Sequence, residues 1–160
     1  MIVKYGPGFF LKPAATMRER VYKLEAEASL LLQVDCPVRH YFAPGLYARE
    51  ISIPAGTVVT GAVHKTENLI VVSLGRLRIV TNDGTREVAA GETLTCQAGM
   101  KNAVYALEDS RWTNFLPNPE NCTDTDKLTE LFTESKASEL LGGADNKQLL
   151  ANAAAERIEA

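Results

Sequence analysis

A mainly β fold with helices at both ends is what this sequence of 160 residues predicts. Short β-branched and apolar runs, separated by glycine, proline and aspartate turns, fill the region 39–116. An amphipathic helical pattern precedes that region, and helical patterns follow it. We therefore expect three parts: an N-terminal arm and helix at 1–38, a β-barrel at 39–116, and a helical, acidic C-terminal tail at 117–160.

The first helix is predicted by its start signal and its apolar stripe. Thr16 and Glu19 have the spacing of a capping box, in which each side chain binds the other residue's backbone N–H. The helix should end at Cys36-Pro37, because a residue before proline disfavours the helical conformation. The stripe fits the protein's own barrel and a partner subunit equally well. It consists of Met17, Val21, Leu24, Ala28 and Leu31.

Alternating runs and turn signals predict eight strands in the barrel region. Asp83-Gly84 lies between two such runs and is typical of a tight hairpin, which needs a positive φ. Eight short strands within about eighty residues favour a double-sheet jelly roll over a βαβ fold. The strands are expected near 46–53, 57–63, 69–74, 76–81, 85–88, 92–97, 102–107 and 111–116.

The tail should contain two further helices. Leu128, Leu131 and Phe132 mark the first, which should end before Gly142-Gly143, and an alanine-rich segment at 146–158 marks the second. With so few large apolar residues, the tail docks on the barrel or a neighbour, or frays.

Composition narrows the functional classes. Residues 117–160 carry four basic and nine acidic side chains, whereas the rest of the chain is nearly neutral. This distribution argues against nucleic-acid binding, which needs a basic surface. No apolar run is long enough to cross a membrane, and the N-terminus does not have the pattern of a signal peptide. Three cysteines without metal-type spacing favour reduced thiols in a cytoplasmic protein.

The stretch GTVVTGAVHKTENLIVVSLG, from Gly56 to Gly75, resembles the first motif of the cupin family. In that motif two histidines and a glutamate lie between the two glycines. At the corresponding positions this chain has Ala62, His64 and Asn68. The resemblance implies a single cupin jelly-roll barrel.

The second cupin motif is matched by its glycines, Gly91 and Gly99. Gln97 stands in place of the motif's proline, Asn102 in place of its metal-binding histidine and Ala106 in place of its asparagine. Cupin enzymes typically bind iron, manganese, zinc or nickel at these positions. One imidazole and two amides are poor ligands for such ions, so we expect no metal and no other cofactor.

A barrel mouth without metal would bind a ligand through hydrogen bonds, stacking and charge. Strand alternation places Arg49 on the same face as Ile51 and Ile53, where it would face an anionic ligand or a structural partner. His64 and Trp112 could equally be structural. The full set predicted to bind a small nucleotide- or sugar-like anion is Arg49, His64, Asn68, Gln97, Lys101, Asn102, Tyr105 and Trp112.

From Tyr47 to Phe115 the chain also resembles small cupin-like proteins encoded by bacteriophages, through YAREISIPAGTVVTG, HKTENL and YALEDSRWT. This resemblance implies the cytoplasm of an infected bacterium. Our leading hypothesis is a protein that binds small molecules without a metal and sequesters a nucleotide-type signal of host immunity.

Two alternatives remain open. One is a metal-independent isomerase, epimerase or lyase with His64 as base and Tyr105 or Tyr47 as acid. The other is a virion or assembly component. In each case the exposed helical stripes predict a homo-oligomer, with a dimer favoured on symmetry grounds.

Overall fold

The computed structural model describes residues 16–81 and 83–135. Two helices flank nine strands in this part of the chain. In chain order these elements are α1 (Met17–Ala28), β1 (Val38–Ala43), β2 (Gly45–Ile53), β3 (Val58–Thr60), β4 (Asn68–Leu74), β5 (Arg76–Thr81), β6 (Gly84–Ala89), β7 (Thr93–Cys96), β8 (Ala103–Ala106), β9 (Ser110–Asn118) and α2 (Thr125–Phe132).

The strands form two antiparallel sheets. The larger has the order β1-β2-β9-β4-β7 and the smaller the order β3-β8-β5-β6. This arrangement confirms the predicted mainly β fold and is consistent with a cupin jelly roll. The hairpin predicted at Asp83-Gly84 joins β5 to β6, and Gly84 has a φ of 114°.

The apolar core lies between the two sheets. Ile51 and Val72 face inward from the larger sheet, and Leu77, Ile79 and Val88 face inward from the smaller one. Because inward residues alternate along each strand, both inner faces present branched apolar side chains to each other. This burial is the main source of the barrel's stability.

The capping box of α1 is confirmed, since Glu19 N donates to Thr16 Oγ1 at 3.2 Å and Thr16 N donates to Glu19 Oε2 at 2.7 Å. The predicted length is wrong, because the helix ends at Ala28. Gln33 Nε2 donates to the carbonyl of Ala28 at 2.9 Å and closes the helix eight residues before Cys36. Within α1, only Val21 is buried.

Strand β1 is an edge strand that alternation did not predict. Five of its six residues are exposed, so neither face carries the apolar pattern that marks a strand in a sequence. Its pairing with β2 moves the start of the barrel to Val38.

Helix α2 packs Leu128 and Phe132 against Tyr47 and Leu116 of the larger sheet. It ends well before Gly142, because Thr133 is extended and pairs with His64 as an isolated bridge. The predicted segment at 146–158 lies outside the described residues. Neither α1 nor α2 is long and apolar enough to span a membrane.

Candidate functional site

The inner faces of four strands change from apolar to polar at the same end of the barrel. The two larger-sheet neighbours Arg49 and Asn114 face each other directly across β2 and β9. Because inward residues are two apart, one step along each strand replaces a core residue by a polar one. The changes are Ile51 to Arg49 in β2, Ile70 to Asn68 in β4, Val104 to Asn102 at the start of β8, and Trp112 to Asn114 in β9.

A cavity of about 880 Å³ includes this polar end and extends inward to apolar residues such as Ile51 and Ile53. Its walls come from the barrel strands, from α1 with the turn after it, and from α2 with the segment that follows it. The volume is in the range typical of small-molecule sites. The polar residues that contribute to its wall from the barrel are Tyr47, Arg49, Thr57, Thr60, His64, Cys96, Lys101, Asn102, Trp112 and Asn114.

One wall is held by a chain of buried hydrogen bonds. Trp112 Nε1 donates to Asn114 Oδ1 at 2.8 Å, and Asn114 Nδ2 donates to Asn68 Oδ1 at 2.8 Å. These bonds fix the orientation of both amides and of the indole ring. Asn68 Nδ2 has no hydrogen-bond partner of standard geometry. Burial raises the pKa of the neighbouring Cys96 thiol, and contact with the Asn68 side chain offsets part of this rise.

Arg49 affects the electrostatics of His64. Burial lowers the pKa of Arg49, and the negative charge that Tyr47 can carry opposes this shift. Burial also lowers the pKa of His64 to about 4, with a further lowering by the positive charge of Arg49. The imidazole is therefore neutral at physiological pH. Its Nδ1 is buried and has no hydrogen-bond partner in the described structure.

Lys101 is held by the N-terminal helix. Its Nζ lies 2.8 Å and 2.9 Å from the two carboxylate oxygens of Glu25, and 4.7 Å from the centre of the Tyr22 ring. The same carboxylate accepts a hydrogen bond from Thr60 Oγ1 at 2.7 Å. The side chain of Lys101 is only 4% exposed.

Gly61 allows the Asn102 side chain to lie at the cavity wall. A Cβ at position 61 would lie 2.1 Å from Asn102 Oδ1. The two backbones are also joined, since Gly61 N donates to the carbonyl of Asn102 at 3.0 Å. Any larger residue at 61 would therefore displace the amide.

The structure brings five of the eight predicted site residues to one cavity. They are Arg49, His64, Lys101, Asn102 and Trp112.

The other three predicted residues lie elsewhere. Asn68 lies behind Asn114, to which it is bonded, and not on the cavity wall. Gln97 and Tyr105 are exposed and outside the cavity. Tyr105 faces outward because it alternates with the buried Val104 and Ala106 along β8. Gln97 follows the end of β7, where no strand holds its side chain inward.

The sequence did not identify Glu25, Thr60 or Asn114 as site residues. Alternation places Asn114 on the strand face of Trp112, but the predicted set did not include it. Glu25 could not have been found in this way, because its contact with Lys101 spans 76 residues of sequence.

The donors at the cupin metal positions do not fit a tight transition-metal site. Ala62 offers no donor atom, and the Oδ1 of Asn68 is occupied by Asn114. Only the His64 imidazole and the Asn102 amide remain, and an amide oxygen is a weak neutral ligand. Residues 16–81 and 83–135 contain no group of three His, Cys, Asp or Glu side chains arranged for a metal ion.

No family model and no curated protein matches this chain. Among solved structures, KdgF from Halomonas sp. is 15% identical, with 59% of this chain and 86% of that one covered at a TM-score of 0.48. A cupin-2 domain containing protein from Shewanella frigidimarina is 18% identical, with 59% and 92% covered at 0.45. A conserved protein of unknown function from Streptococcus pyogenes is 21% identical, with 54% and 77% covered at 0.45. Similarity this low says nothing about what the chain binds or does.

Proposed function

We propose that this protein binds a small anionic molecule in the barrel cavity without using a metal ion. The observation that carries this proposal is the shared polar end of the strands, which gives the cavity wall Arg49, a neutral His64 and the amides of Asn102 and Asn114. Buried polar groups are costly unless they are satisfied. A ligand that hydrogen-bonds to His64 Nδ1 would satisfy an atom that has no partner in the described structure.

The chemistry of the wall indicates the class of ligand. The guanidinium of Arg49 is suited to phosphate or carboxylate, which it can bind through two parallel hydrogen bonds. Trp112 and Asn102 add an aromatic surface and an amide on the same cavity. Together these groups support a ligand with an acidic group joined to a polar ring, such as a nucleotide or a sugar phosphate.

The biological role proposed for this binding is sequestration. In that role the protein would belong to a bacteriophage and hold a nucleotide-type signal of host immunity away from its receptor. Two observations support this role. The segment from Tyr47 to Phe115 resembles small cupin-like proteins of bacteriophages, and the cavity is large enough for a nucleotide. A binder that sequesters its ligand releases it unchanged on denaturation.

Ligand capture followed by mass spectrometry tests the proposal. The purified chain is incubated with a mixture of cyclic nucleotides, linear nucleotides and sugar phosphates, washed and denatured, and the released molecules are identified. We expect one chemical class to be retained in intact form. Arg49→Met should lose this retention, because it removes the cation from the wall.

Arg78→Met is the matched control. Arg78 is exposed on β5 and bonds to Glu87 at 2.8 Å, outside the cavity. It should therefore retain the ligand like the unaltered protein. Equal retention by the Arg49 and Arg78 variants, or no retention by any of the three proteins, would overturn the proposal.

A second candidate function is metal-independent isomerase, epimerase or lyase chemistry with His64 as general base. The neutral state of His64 and its open Nδ1 favour it, whereas a pKa of about 4 makes the imidazole a weak base. Against it, Tyr105 lies outside the cavity, and the Tyr47 hydroxyl is 2.8 Å from His40 Nδ1. In the capture experiment, recovery of only a converted product would support this function in place of sequestration.

Self-association and a role in virion assembly stay predictions. Tyr41, Phe42 and Leu46 are exposed at the β1–β2 edge of the larger sheet and support a homo-oligomer. Size-exclusion chromatography with light scattering would give the oligomeric state. Mass spectrometry of purified particles would show whether the chain is a virion component.

A further inference from the structure

The charges on the cavity wall are divided between the barrel and its appendages. Among the described residues of the wall, the barrel contributes the cations Arg49 and Lys101. The two carboxylates come from outside the barrel: Glu25 lies on α1, and Glu134 follows α2. Without these appendages, the mouth of the barrel would carry two positive charges and no negative one.

Glu25 occupies a site whose chemistry is that of an anion subsite. Its carboxylate receives both an ammonium group and a hydroxyl, from Lys101 and Thr60, at 2.7–2.9 Å. These are the donors and distances that proteins use to bind a carboxylate or phosphate of a ligand. The carboxylate thus fills this part of the cavity in the way that an acidic ligand group would.

Helix α1 is attached to the barrel mainly through polar contacts. Val21 is its one buried residue, and Tyr22 and Leu24 are exposed. Besides Glu25, the attachment includes an ion pair of Arg18 with Glu134 and a hydrogen bond from Arg18 to the carbonyl of Gly99 at 3.4 Å. The Arg18–Glu134 pair is exposed, so it adds little. A helix with so little apolar burial opens at low cost compared with the barrel.

We propose that Lys101 and Thr60 form an anion subsite that Glu25 occupies in the free protein, and that an acidic ligand group displaces Glu25 together with α1. The inference rests on the proposed function, since it concerns the same cavity. It adds that the ligand carries a second acidic group besides the one bound by Arg49, or one extended acidic group that reaches both cations. It also makes α1 a built-in competitor of the ligand.

The buried Lys101 couples the displacement of Glu25 to the binding of the ligand. An ammonium group that loses its carboxylate partner inside the cavity is disfavoured, so α1 is closed in most molecules when no other anion is bound. The apparent affinity for the ligand is reduced by the fraction of molecules that are open. For an open fraction of about 1–10%, removing Glu25 should tighten binding roughly ten- to a hundredfold.

Chemical modification of the Lys101 amine tests this inference without knowledge of the natural ligand. The unaltered protein, Glu25→Ala and Glu27→Ala are treated with an amine-acetylating reagent, and acetylation at Lys101 is followed by peptide mass spectrometry. Glu27 is the matched control because it lies on the same helix, has the same charge and contacts only Lys23, at 3.9 Å, among the ion pairs of the described chain. Inorganic phosphate is the probe anion, with chloride at equal ionic strength for comparison.

In Glu25→Ala we expect Lys101 to react at least tenfold faster, and phosphate to protect it at a concentration at least tenfold lower than in the unaltered protein. Glu27→Ala should behave like the unaltered protein. Glu25→Gln, which keeps the side-chain shape, should show a smaller change in the same direction, and circular dichroism confirms that each variant is folded.

The inference is overturned if Lys101 stays protected in Glu25→Ala, or if phosphate gives no more protection than chloride. That failure is distinct from failure of the proposed function. If only the anion-subsite inference fails, Arg49-dependent capture of a ligand remains. If the proposed function fails, the unaltered protein captures no ligand.

Discussion

The two ends of the barrel interior are built from the same strands but serve different purposes. At one end, Ile51 and Val72 are almost fully buried, among apolar side chains that include Leu77 of the smaller sheet. At the other, the same strands present Arg49, Asn68 and Asn114. The apolar end stabilises the fold, whereas the polar end retains atoms such as His64 Nδ1 that have no partner. Two of the three such side-chain atoms in the described chain, His64 Nδ1 and Asn68 Nδ2, lie at this end, which supports it as the candidate binding end.

Shortening a core side chain at the apolar end should have the largest effect on stability. Leu77 is 0% exposed at the centre of the core. Leu77→Ala should lower the free energy of unfolding by about 2–5 kcal/mol, through lost burial and the resulting cavity. Urea denaturation followed by Trp112 fluorescence measures this. A loss below about 1 kcal/mol would show that this end is not the main source of stability.

The polar end should make stability depend on pH. The pKa of His64 is about 4 in the folded protein, against 6.5 as its ordinary value. Between these two pH values the unfolded chain binds the proton more readily than the folded protein does. The free energy of unfolding is therefore unaffected by His64 above pH 6.5, and protonation of the unfolded chain lowers it as the pH falls toward 4. The loss attributable to His64 should reach about 3 kcal/mol.

This contribution is isolated by subtracting the pH profile of His64→Gln from that of the unaltered protein. Carboxylates elsewhere titrate in both proteins and cancel in the difference. A difference that is flat between pH 7 and pH 4 would mean that the imidazole is solvated in the folded state.

Two glycines allow the two regions to be compared by the same substitution. Gly75 has a φ of 73°, and a Cβ there would lie 2.2 Å from the backbone oxygen of Asp109. Gly75→Ala should therefore cost at least about 2 kcal/mol, because the backbone of a turn must move. Gly61→Ala should cost less than about 1 kcal/mol, because only the Asn102 side chain has to rotate. Thermal unfolding shows which variant loses more stability. A greater loss for Gly61→Ala would contradict the expectation that only the Asn102 side chain has to move.

Arg49→Met should affect binding more than stability. A charge-assisted hydrogen bond to an anion is worth about 1.5–3 kcal/mol, so the affinity for the captured ligand should fall roughly ten- to a hundredfold. Calorimetric titration with that ligand measures the change, with Arg78→Met as the control. An unchanged affinity would place the anion away from Arg49.

Much of this architecture could be predicted from local patterns. The strands from β2 to β9 follow alternation, and the Thr16–Glu19 cap follows its spacing. Strand β1 could not be predicted, because its exposed residues carry no apolar period and its pairing with β2 defines it. The end of α1 was also missed, since a side chain from outside the helix, Gln33, closes it.

The candidate site was predictable to the extent that it lies on strands. Alternation placed Arg49 and Trp112 on inner faces, and motif spacing drew attention to His64. The same reasoning could not show that Lys101 is held by Glu25, because such a contact depends on where α1 docks. Tyr105 was selected by residue type, but alternation along β8 turns it outward. Periodicity thus predicts faces, whereas pairing between distant segments has to be observed.

The central claim is that the polar end of the barrel binds a small anion without a metal ion. Native mass spectrometry of the protein purified from its source, without chelators, tests this most directly. We expect an added mass corresponding to a small anionic molecule, present in Arg78→Met and absent in Arg49→Met. A stoichiometric transition-metal ion that is lost in His64→Gln would contradict the claim.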